Sequence, residues 1–269
     1  MAQFLGMNSQ VWLIGGTSES VAIAQALAKL NIPLVITVTT ASAQALYTAL
    51  CKNVSTAIKV IVGSMNPLAM QSFCQQQQIK IVIDASHPYA ATVSRQAIAL
   101  TTQLGIPYLR YERASHHTSS GEPDSSQVIE LSSFTELLAG DYLDAHRVLL
   151  TVGCQALSQF QPWHSKATLF ARVLPKIKSL ETAIAAGFTG DRLIAIRPPI
   201  SLAMETALWQ QWQISLVVTK ASGKAGGEDL KRQVAASLGI PLIVIARPQI
   251  VYPRQTSEIW EIVAFCRQC

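Results

Sequence analysis

Four polar side chains of different chemistry, Asp84, Ser86, His87 and Tyr89, follow directly on a short apolar, β-branched run. An acid, a hydroxyl, an imidazole and a phenol are groups that can bind a ligand or move a proton. Pro88 disfavours helical geometry at His87 and fits the first turn of a following helix, which places the group on the turn at the carboxyl end of a buried strand. Ligands bind at that edge of open α/β sheets. The alternative is that Asp84 and Ser86 only cap the next helix, which explains neither His87 nor Tyr89.

The composition is that of a folded chain with a sizeable core. Its 269 residues suffice for one large or two ordinary domains, and 49% are hydrophobic while 14% are charged. Every apolar run is shorter than the ~18 residues of a membrane span, and the start lacks the features of a signal peptide, so we expect a cytoplasmic protein. The five cysteines are scattered, and the pair Cys266 and Cys269 lacks further ligands, so we expect neither a disulfide framework nor a metal.

The positive charge is concentrated in the second half of the chain. Residues 1–145 carry 7 Lys and Arg against 9 Asp and Glu, whereas residues 146–269 carry 14 against 7. A basic half of this kind indicates an anionic ligand. No dense basic run is interleaved with aromatic residues, so a polyanionic small molecule fits better than nucleic acid.

A glycine turn follows the first predicted strand. The apolar run 11–14 leads into Gly15, Gly16, Thr17 and Ser18, and a helical pattern begins at about residue 21. Glycines let a backbone approach an anion, and a helix N-terminus offers N–H groups and a positive dipole, so the turn suits a phosphate. The full dinucleotide fingerprint is absent, and Glu19 could close a capping box instead of serving a ligand site.

The next predicted strand, 32–39, ends in hydroxyls where a nucleotide's ribose would be recognised. Thr39, Thr40 and Ser42 stand there without an acid to bind both ribose hydroxyls, which argues against NAD. The hydroxyls could accommodate a 2′-phosphate.

Strands and helices alternate along the whole chain, which predicts parallel sheets covered on both faces. A second α/β series starts at Arg147, so we expect two α/β domains, 1–144 with the glycine turn that suits a nucleotide and 145–269 with the basic edge. The tract Ala114–Ser126, with its adjacent histidines, is predicted to be a solvated loop rather than a metal site.

Predicted strands of the second half repeatedly end in cationic residues. These are Arg172, Arg197, Lys220 and Arg247, with Ser222 and Gly223 following the lysine. Because carboxyl ends of parallel strands share one edge, the four cations predict an anion-binding edge.

Several motifs together resemble those of the precorrin-6A reductase family of cobalamin biosynthesis. They span nearly the whole chain in the family's order: Ile14–Glu19, Asp84–Ala90, Tyr108–Arg113, Thr151–Gly153, Phe170–Leu174, Val218–Gly223 and Ala246–Pro248. Asp-Ala-Ser-His-Pro and Thr-Lys-x-Ser-Gly are the most specific.

The resemblance implies two Rossmann-like domains with a ligand cleft between them. It also implies hydride transfer from NADPH to a ring double bond of precorrin-6A or cobalt-precorrin-6A, with no nucleic-acid or membrane partner. A cationic edge suits a substrate fringed with acetate and propionate groups. Hydride chemistry belongs to the cofactor, so no catalytic dyad is required.

Residue roles follow as hypotheses. Gly15, Gly16, Thr17, Ser18, Thr39, Ser86 and Tyr89 are assigned to the cofactor. Arg172, Arg197, Lys220, Ser222, Gly223 and Arg247 are assigned to the substrate. His87 is the candidate proton donor, with Asp84 and Ser86 beside it.

Other functions remain open from the residues alone. A serine hydrolase would need a Gly-x-Ser-x-Gly elbow, which is absent. A non-enzymatic two-lobed anion-binding protein and a sugar-nucleotide transferase are the alternatives, and neither is expected to bind NADPH. Oligomeric state and the presence of cobalt in the substrate are open.

Overall fold

The computed structural model of this chain describes residues 10–53, 58–112, 127–223 and 226–268. The predicted loop Ala114–Ser126, the motif residue Arg113 and the last cysteine, Cys269, lie outside the described residues. Two residues of the glycine-rich turn after Lys220, Lys224 and Ala225, lie outside them as well.

The chain forms two compact units, Met1–Ala114 with Gln249–Cys269, and Ser115–Pro248. The predicted boundary between residues 144 and 145 does not match them. The strand at residues 128–131, which that boundary would place in the first domain, lies in the second unit's sheet, and the chain's last strand and helix return to the first unit. Sheet pairing between residues far apart in sequence decides both placements.

The first unit is built on a six-stranded parallel sheet in the order β12-β5-β4-β1-β2-β3. Its strands are β1 (Gln10–Ile14), β2 (Leu34–Val38), β3 (Ile58–Val62), β4 (Ile79–Asp84), β5 (Tyr108–Tyr111) and β12 (Gln255–Thr256). The central strands read as continuous apolar runs because both faces of the sheet are covered. This order, with β1 at the centre, is that of a dinucleotide-binding Rossmann sheet.

Helices cover the faces of the first sheet. They are α1 (Ser18–Ala28), α2 (Ala41–Gln44), α3 (Thr48–Asn53), α4 (Pro67–Gln76), α5 (Ala91–Leu104) and α10 (Ile259–Gln268), with a 3₁₀ turn Ala45–Tyr47. One apolar cluster packs α1 and α10 on one face, and another, around Trp12, packs α4 and α5 on the other. The prediction that Pro88 begins the helix after β4 was wrong, because α5 starts at Ala91 and Pro88 lies in the preceding turn.

The second unit repeats the plan with a six-stranded parallel sheet in the order β6-β11-β10-β7-β8-β9. Its strands are β6 (Val128–Leu131), β7 (Arg147–Leu150), β8 (Thr168–Val173), β9 (Leu193–Ala195), β10 (Leu216–Lys220) and β11 (Leu242–Ile245). The five strands β7 to β11 are arranged in the same order as β1 to β5 of the first unit, and β6 forms the edge of the sheet beside β11. The predicted fold class, two Rossmann-like domains with parallel sheets, is confirmed in its architecture.

The second sheet is likewise covered on both faces. Its helices are α6 (Phe134–Ala139), α7 (Ile177–Ala185), α8 (Leu202–Gln211) and α9 (Glu228–Leu238), with 3₁₀ segments Cys154–Ser165 and Gly190–Arg192. Among the helices in the described part of the chain, none combines the length and apolar character that crossing a membrane requires.

Candidate functional site

In the first unit, β1 and β4 are neighbours from which the remaining strands extend in opposite directions, so the switch point of the sheet lies between them. The glycine turn leaves β1 there, and the Asp84–Tyr89 turn leaves β4. The Thr17 hydroxyl donates to the Ala85 carbonyl at 3.1 Å and joins the two turns. The structure therefore brings these two predicted segments together where doubly wound sheets bind ligands.

Asp84 is the fully buried centre of the second of these turns. One carboxylate oxygen accepts the Ser86 N–H at 3.0 Å and Arg110 Nη1 at 2.9 Å. The other accepts the Ser94 hydroxyl at 2.6 Å and the Tyr108 hydroxyl at 2.8 Å. A carboxylate with four acceptor positions is thereby fully engaged, so its chemistry here is to anchor the turn.

Electrostatics keep this buried carboxylate ionised. Burial raises the pKa of Asp84, but the Arg110 guanidinium and the hydrogen bonds from Ser94 and Ser86 lower it to a net value below the ordinary one. Burial alone lowers the pKa of Arg110, whereas the Asp84 and Glu112 carboxylates raise it above its ordinary value. Arg110 Nη2 reaches Glu112 Oε2 at 2.8 Å, which completes a carboxylate–guanidinium–carboxylate chain.

The other members of the turn differ in exposure. Ser86 is buried, and its hydroxyl oxygen accepts Arg110 Nη1 at 3.0 Å. His87 is exposed, and its Nδ1 accepts the Tyr89 N–H at 3.2 Å. That hydrogen bond needs Nδ1 without a proton, which leaves Nε2 as the ring's N–H position. Tyr89 is half-buried with its ring centroid 6.0 Å from that of His87.

The first three amides of the glycine turn have hydrogen-bond acceptors within the protein. The Gly15 N–H donates to the Thr37 carbonyl at 2.9 Å. The Gly16 and Thr17 N–H groups both donate to the Ser20 hydroxyl oxygen, at 3.1 and 3.0 Å. The N–H groups of Gly15, Gly16 and Thr17 therefore already have acceptors within the protein. This differs from the prediction that these N–H groups bind the cofactor phosphates.

Two hydroxyls support this turn. Tyr47 OH lies 2.6 Å from Ser20 Oγ and accepts the Gly16 N–H at 3.1 Å. Thr17 caps α1 in a capping box with Ser20, not with Glu19 as the alternative interpretation supposed. Gly16 and Ser18 are the exposed residues of the turn, and Gly16 has a φ of 109°, which favours glycine.

Thr39 is exposed directly after β2, next to the switch point. An open groove is lined by residues of α2, the following 3₁₀ turn, α3 and β3, among them Gln44, Tyr47 and Cys51. Thr39 therefore lies at the carboxyl end of the strand next to β1, which is the position where a Rossmann sheet recognises a ribose.

The second unit has its own switch point, between β7 and β10. Gly153 follows β7, and Lys220 ends β10. A Cβ built on Gly153 would lie 3.7 Å from Lys220 Nζ, so the ammonium passes close over this glycine. Burial lowers the pKa of Lys220, and Cys154 partly opposes that effect.

The three other predicted cations, Arg172, Arg197 and Arg247, also lie towards the carboxyl ends of their strands in the second sheet. Their surroundings differ. Arg197 is exposed just beyond β9. Arg247 follows β11, and its Nε donates to the Ala221 carbonyl at 2.9 Å. Arg172 forms an ion pair with the buried carboxylate of Glu205. That pairing differs from the predicted role of Arg172 as a substrate ligand.

Sequence reasoning missed the residues that support both turns. It assigned no role to Arg110, although an arginine inside a strand as apolar as β5 is a usable signal for a buried ion pair. It also missed Glu228 and Lys231, which lie with Val234 and Ala235 on the buried face of α9. A charge in the register of an apolar helical face was the available signal.

Comparison with known proteins agrees with this geometry. The family model described as precorrin-6x reductase CbiJ/CobK matches residues 10–267. A cobalt-precorrin-6A reductase of Synechocystis sp. (strain ATCC 27184 / PCC 6803 / Kazusa) is 43% identical over 258 residues, 96% of each chain. The cobalt-precorrin-6A reductase of Priestia megaterium is 30% identical over 256 residues, 94% of this chain and 96% of the relative.

A solved structure described as CobK precorrin-6A reductase superposes with a TM-score of 0.74 at 23% identity and covers 96% of each chain, which shows a shared fold. The resemblance drawn from the sequence motifs is thus confirmed over nearly the full chain. This chain belongs to the precorrin-6x reductase CbiJ/CobK family.

Proposed function

We propose that this chain reduces a ring double bond of precorrin-6A or cobalt-precorrin-6A in cobalamin biosynthesis, with NADPH as the hydride source. Family membership makes it an oxidoreductase acting on a precorrin with a nicotinamide cofactor. The observation that carries the proposal is the coincidence, in each unit, of the specific family motif with the switch point of a Rossmann-ordered sheet. The predicted cytoplasmic location stays a prediction.

The first unit is the proposed cofactor unit. Exposed Gly16 and Ser18 offer close approach to a phosphate, while Gly15 and Thr17 shape the turn. Thr39 lies where the ribose would be recognised, and no acid follows it to favour an unphosphorylated ribose. Ser86 and Tyr89 border the same edge. These residues fit a nicotinamide dinucleotide, which would supply the hydride when bound.

The second unit is the proposed substrate unit. Lys220, Ser222 and Gly223 on the turn after β10 would hold one carboxylate of the macrocycle, and Arg197 and Arg247 would hold others. Charge-assisted hydrogen bonds of this kind fix orientation as well as affinity. Arg172, paired with Glu205, is left out of direct contact.

The protein's part in the reaction is to orient and to exclude water. Asp84 holds the turn that carries His87, and His87 stays the candidate proton donor. The Tyr89 N–H on Nδ1 orients the ring, which leaves Nε2 as the nitrogen that would exchange a proton with a ligand. If replacement of His87 with alanine leaves the turnover number unchanged, the proton comes from elsewhere.

NADPH titration of the purified protein tests the cofactor assignment. We expect protein-dependent quenching or energy transfer at micromolar cofactor, because the turns of the first unit would hold it. A protein that leaves the NADPH signal unchanged contradicts the assignment, and NADH in parallel measures the preference for the 2′-phosphate.

Replacing Gly16 with valine should raise the KM for NADPH at least tenfold and leave the KM for the macrocycle near that of the wild type. The branched side chain would crowd the proposed phosphate contact and strain a backbone with a φ of 109°. Steady-state kinetics with each substrate varied in turn gives both constants. Gly105→Val is the matched control, since Gly105 also has a positive φ, 64°, but ends α5. Equal rises in both KM values for Gly16→Val would remove Gly16 from the cofactor site.

Replacing Lys220 with alanine should weaken macrocycle binding by about 1.5–3 kcal/mol, the contribution of a hydrogen bond to a charged group. Direct titration of the macrocycle measures the change, and NADPH affinity should stay unaltered. Lys166→Ala is the control, because Lys166 is exposed and precedes β8 at the opposite edge of the sheet. Unchanged macrocycle affinity in Lys220→Ala would take Lys220 out of the site.

A further inference from the structure

The described ends of the turn that joins β10 to α9 have a closely packed backbone. Gly223 and Gly227 have φ values of 66° and 69°, in the left-handed region that favours glycine. A Cβ built on Gly226 would lie 2.0 Å from Ser222 Oγ, a distance that no side chain tolerates. The described ends of this turn therefore depend on glycine to bring the backbone over the start of α9.

Two buried charged side chains of α9 hold the turn from beneath. Glu228 accepts the Gly223 N–H at 2.9 Å. Lys231 Nζ donates to the carbonyls of Gly226 and Gly227 at 3.1 and 3.0 Å. Glu228 is 4% exposed and Lys231 is 3% exposed, so both are sealed inside the unit. The first and the last glycine of the turn are thus each fixed to one helix face.

Keeping a lysine at this position costs free energy. The pKa of Lys231 is lowered to about 8, chiefly by burial and also by the charge of Arg172, while the Glu205 and Glu228 carboxylates oppose the change. An apolar side chain of similar length would lie on the buried face of α9 beside Val234 without that cost. The hydrogen bonds made by the ammonium go to the turn, so the turn is what the lysine maintains.

We propose that Glu228 and Lys231 are positioning residues for macrocycle binding, because they fix Gly223, Gly226 and Gly227, the described ends of the turn, and so hold the backbone beside Lys220 and Ser222 in place for a substrate carboxylate. Neither side chain touches the substrate. The inference rests on the proposed function and names the residues that preorganise that same site.

Kinetics of Lys231→Met in the full-length protein tests this role. We expect the KM for the macrocycle to rise about tenfold, while kcat at saturation and the KM for NADPH stay near wild type. The reason is that the turn is loosened while the cofactor unit is untouched. Lys166→Met is the matched control and should leave all constants unchanged. A folded Lys231→Met protein with an unchanged macrocycle KM overturns the proposal, as does an equal rise in both KM values.

Glu228 provides a second pair of variants. Glu228→Gln keeps an oxygen acceptor for the Gly223 N–H and should keep the macrocycle KM within about twofold, whereas Glu228→Ala removes the acceptor and should raise it severalfold. If the two variants behave alike, the hydrogen bond to Gly223 has no positioning role.

A double-mutant cycle asks whether Lys231 acts through Lys220. On a Lys220→Ala background, Lys231→Met should change the macrocycle KM by less than about twofold, because the side chain that the turn presents is already gone. Fully additive effects overturn the proposal. A wild-type protein that consumes no NADPH with either macrocycle overturns the proposed function itself, and this inference with it, before any variant is compared.

Discussion

Replacing Asp84 with asparagine should lower the free energy of unfolding of the first unit by about 3–5 kcal/mol, because it removes one partner of a buried ion pair. Arg110 is 1% exposed and would keep only Glu112 as a carboxylate partner. The amide cannot accept four hydrogen bonds, so Ser94 or Tyr108 would lose its acceptor as well. Urea unfolding monitored by hydrogen exchange reports on each unit separately.

The control for this stability change is Asp141→Asn, since Asp141 is exposed and its replacement should stay within about 0.5 kcal/mol. A loss in Asp84→Asn no larger than in that control would mean that the buried network does not stabilise the unit. The pH dependence supplies a second check. The folded pKa of Asp84 lies below its ordinary value of 3.8, so its stabilisation is present above that pH and is lost as the pH falls through the folded value. Asp84→Asn should therefore lose less stability on acidification than the wild type.

The stability of the second unit should rise with pH relative to that of Lys231→Met, by about 2 kcal/mol between about pH 7 and about pH 9.5. The folded pKa of Lys231 is about 8, below the ordinary 10.5. Between these values the unfolded chain binds a proton that the folded chain does not, so stability increases with pH there. The methionine variant lacks this titration.

Parallel urea titrations of the two proteins at several pH values measure this difference, and subtracting one from the other removes titrations common to both. Two curves that run parallel across the range would contradict a buried, titrating lysine. A difference that appears together with weaker macrocycle binding in Lys231→Met would mean that the lysine is retained for the site at the expense of stability.

The sequence predicted where the two ligand edges lie because the relevant signals are local. An apolar run followed by a glycine turn, or by Asp84 and Pro88, defines the carboxyl end of a buried strand without knowledge of its neighbours. Parallel sheets then collect such ends at one edge, and both switch points carry the expected motifs. The family resemblance rested on these same segments and was confirmed.

What the sequence could not predict depends on pairings between distant residues. The predicted domain boundary differs from the division into two compact units because β6 pairs with β11 at the edge of the second sheet and β12 pairs with β5 in the first. The Asp84–Arg110 ion pair follows from the register that places Asp84 opposite Arg110 across β4 and β5. From the sequence, Arg172 was predicted to be a cation available to a ligand at a strand end. In the structure it forms an ion pair with Glu205 of α8. The residue types predicted that positive charge lies at the carboxyl edge of the second sheet. Which of these side chains can bind a ligand depends on the ion pairs they form within the protein.

The most direct test of the account is NADPH oxidation by the purified chain, with precorrin-6A and cobalt-precorrin-6A in parallel reactions. We expect protein-dependent loss of NADPH and formation of the dihydro macrocycle with at least one substrate, and the faster of the two identifies the physiological form. No NADPH consumption with either macrocycle, by a folded protein and with intact cofactor, would contradict the central claim.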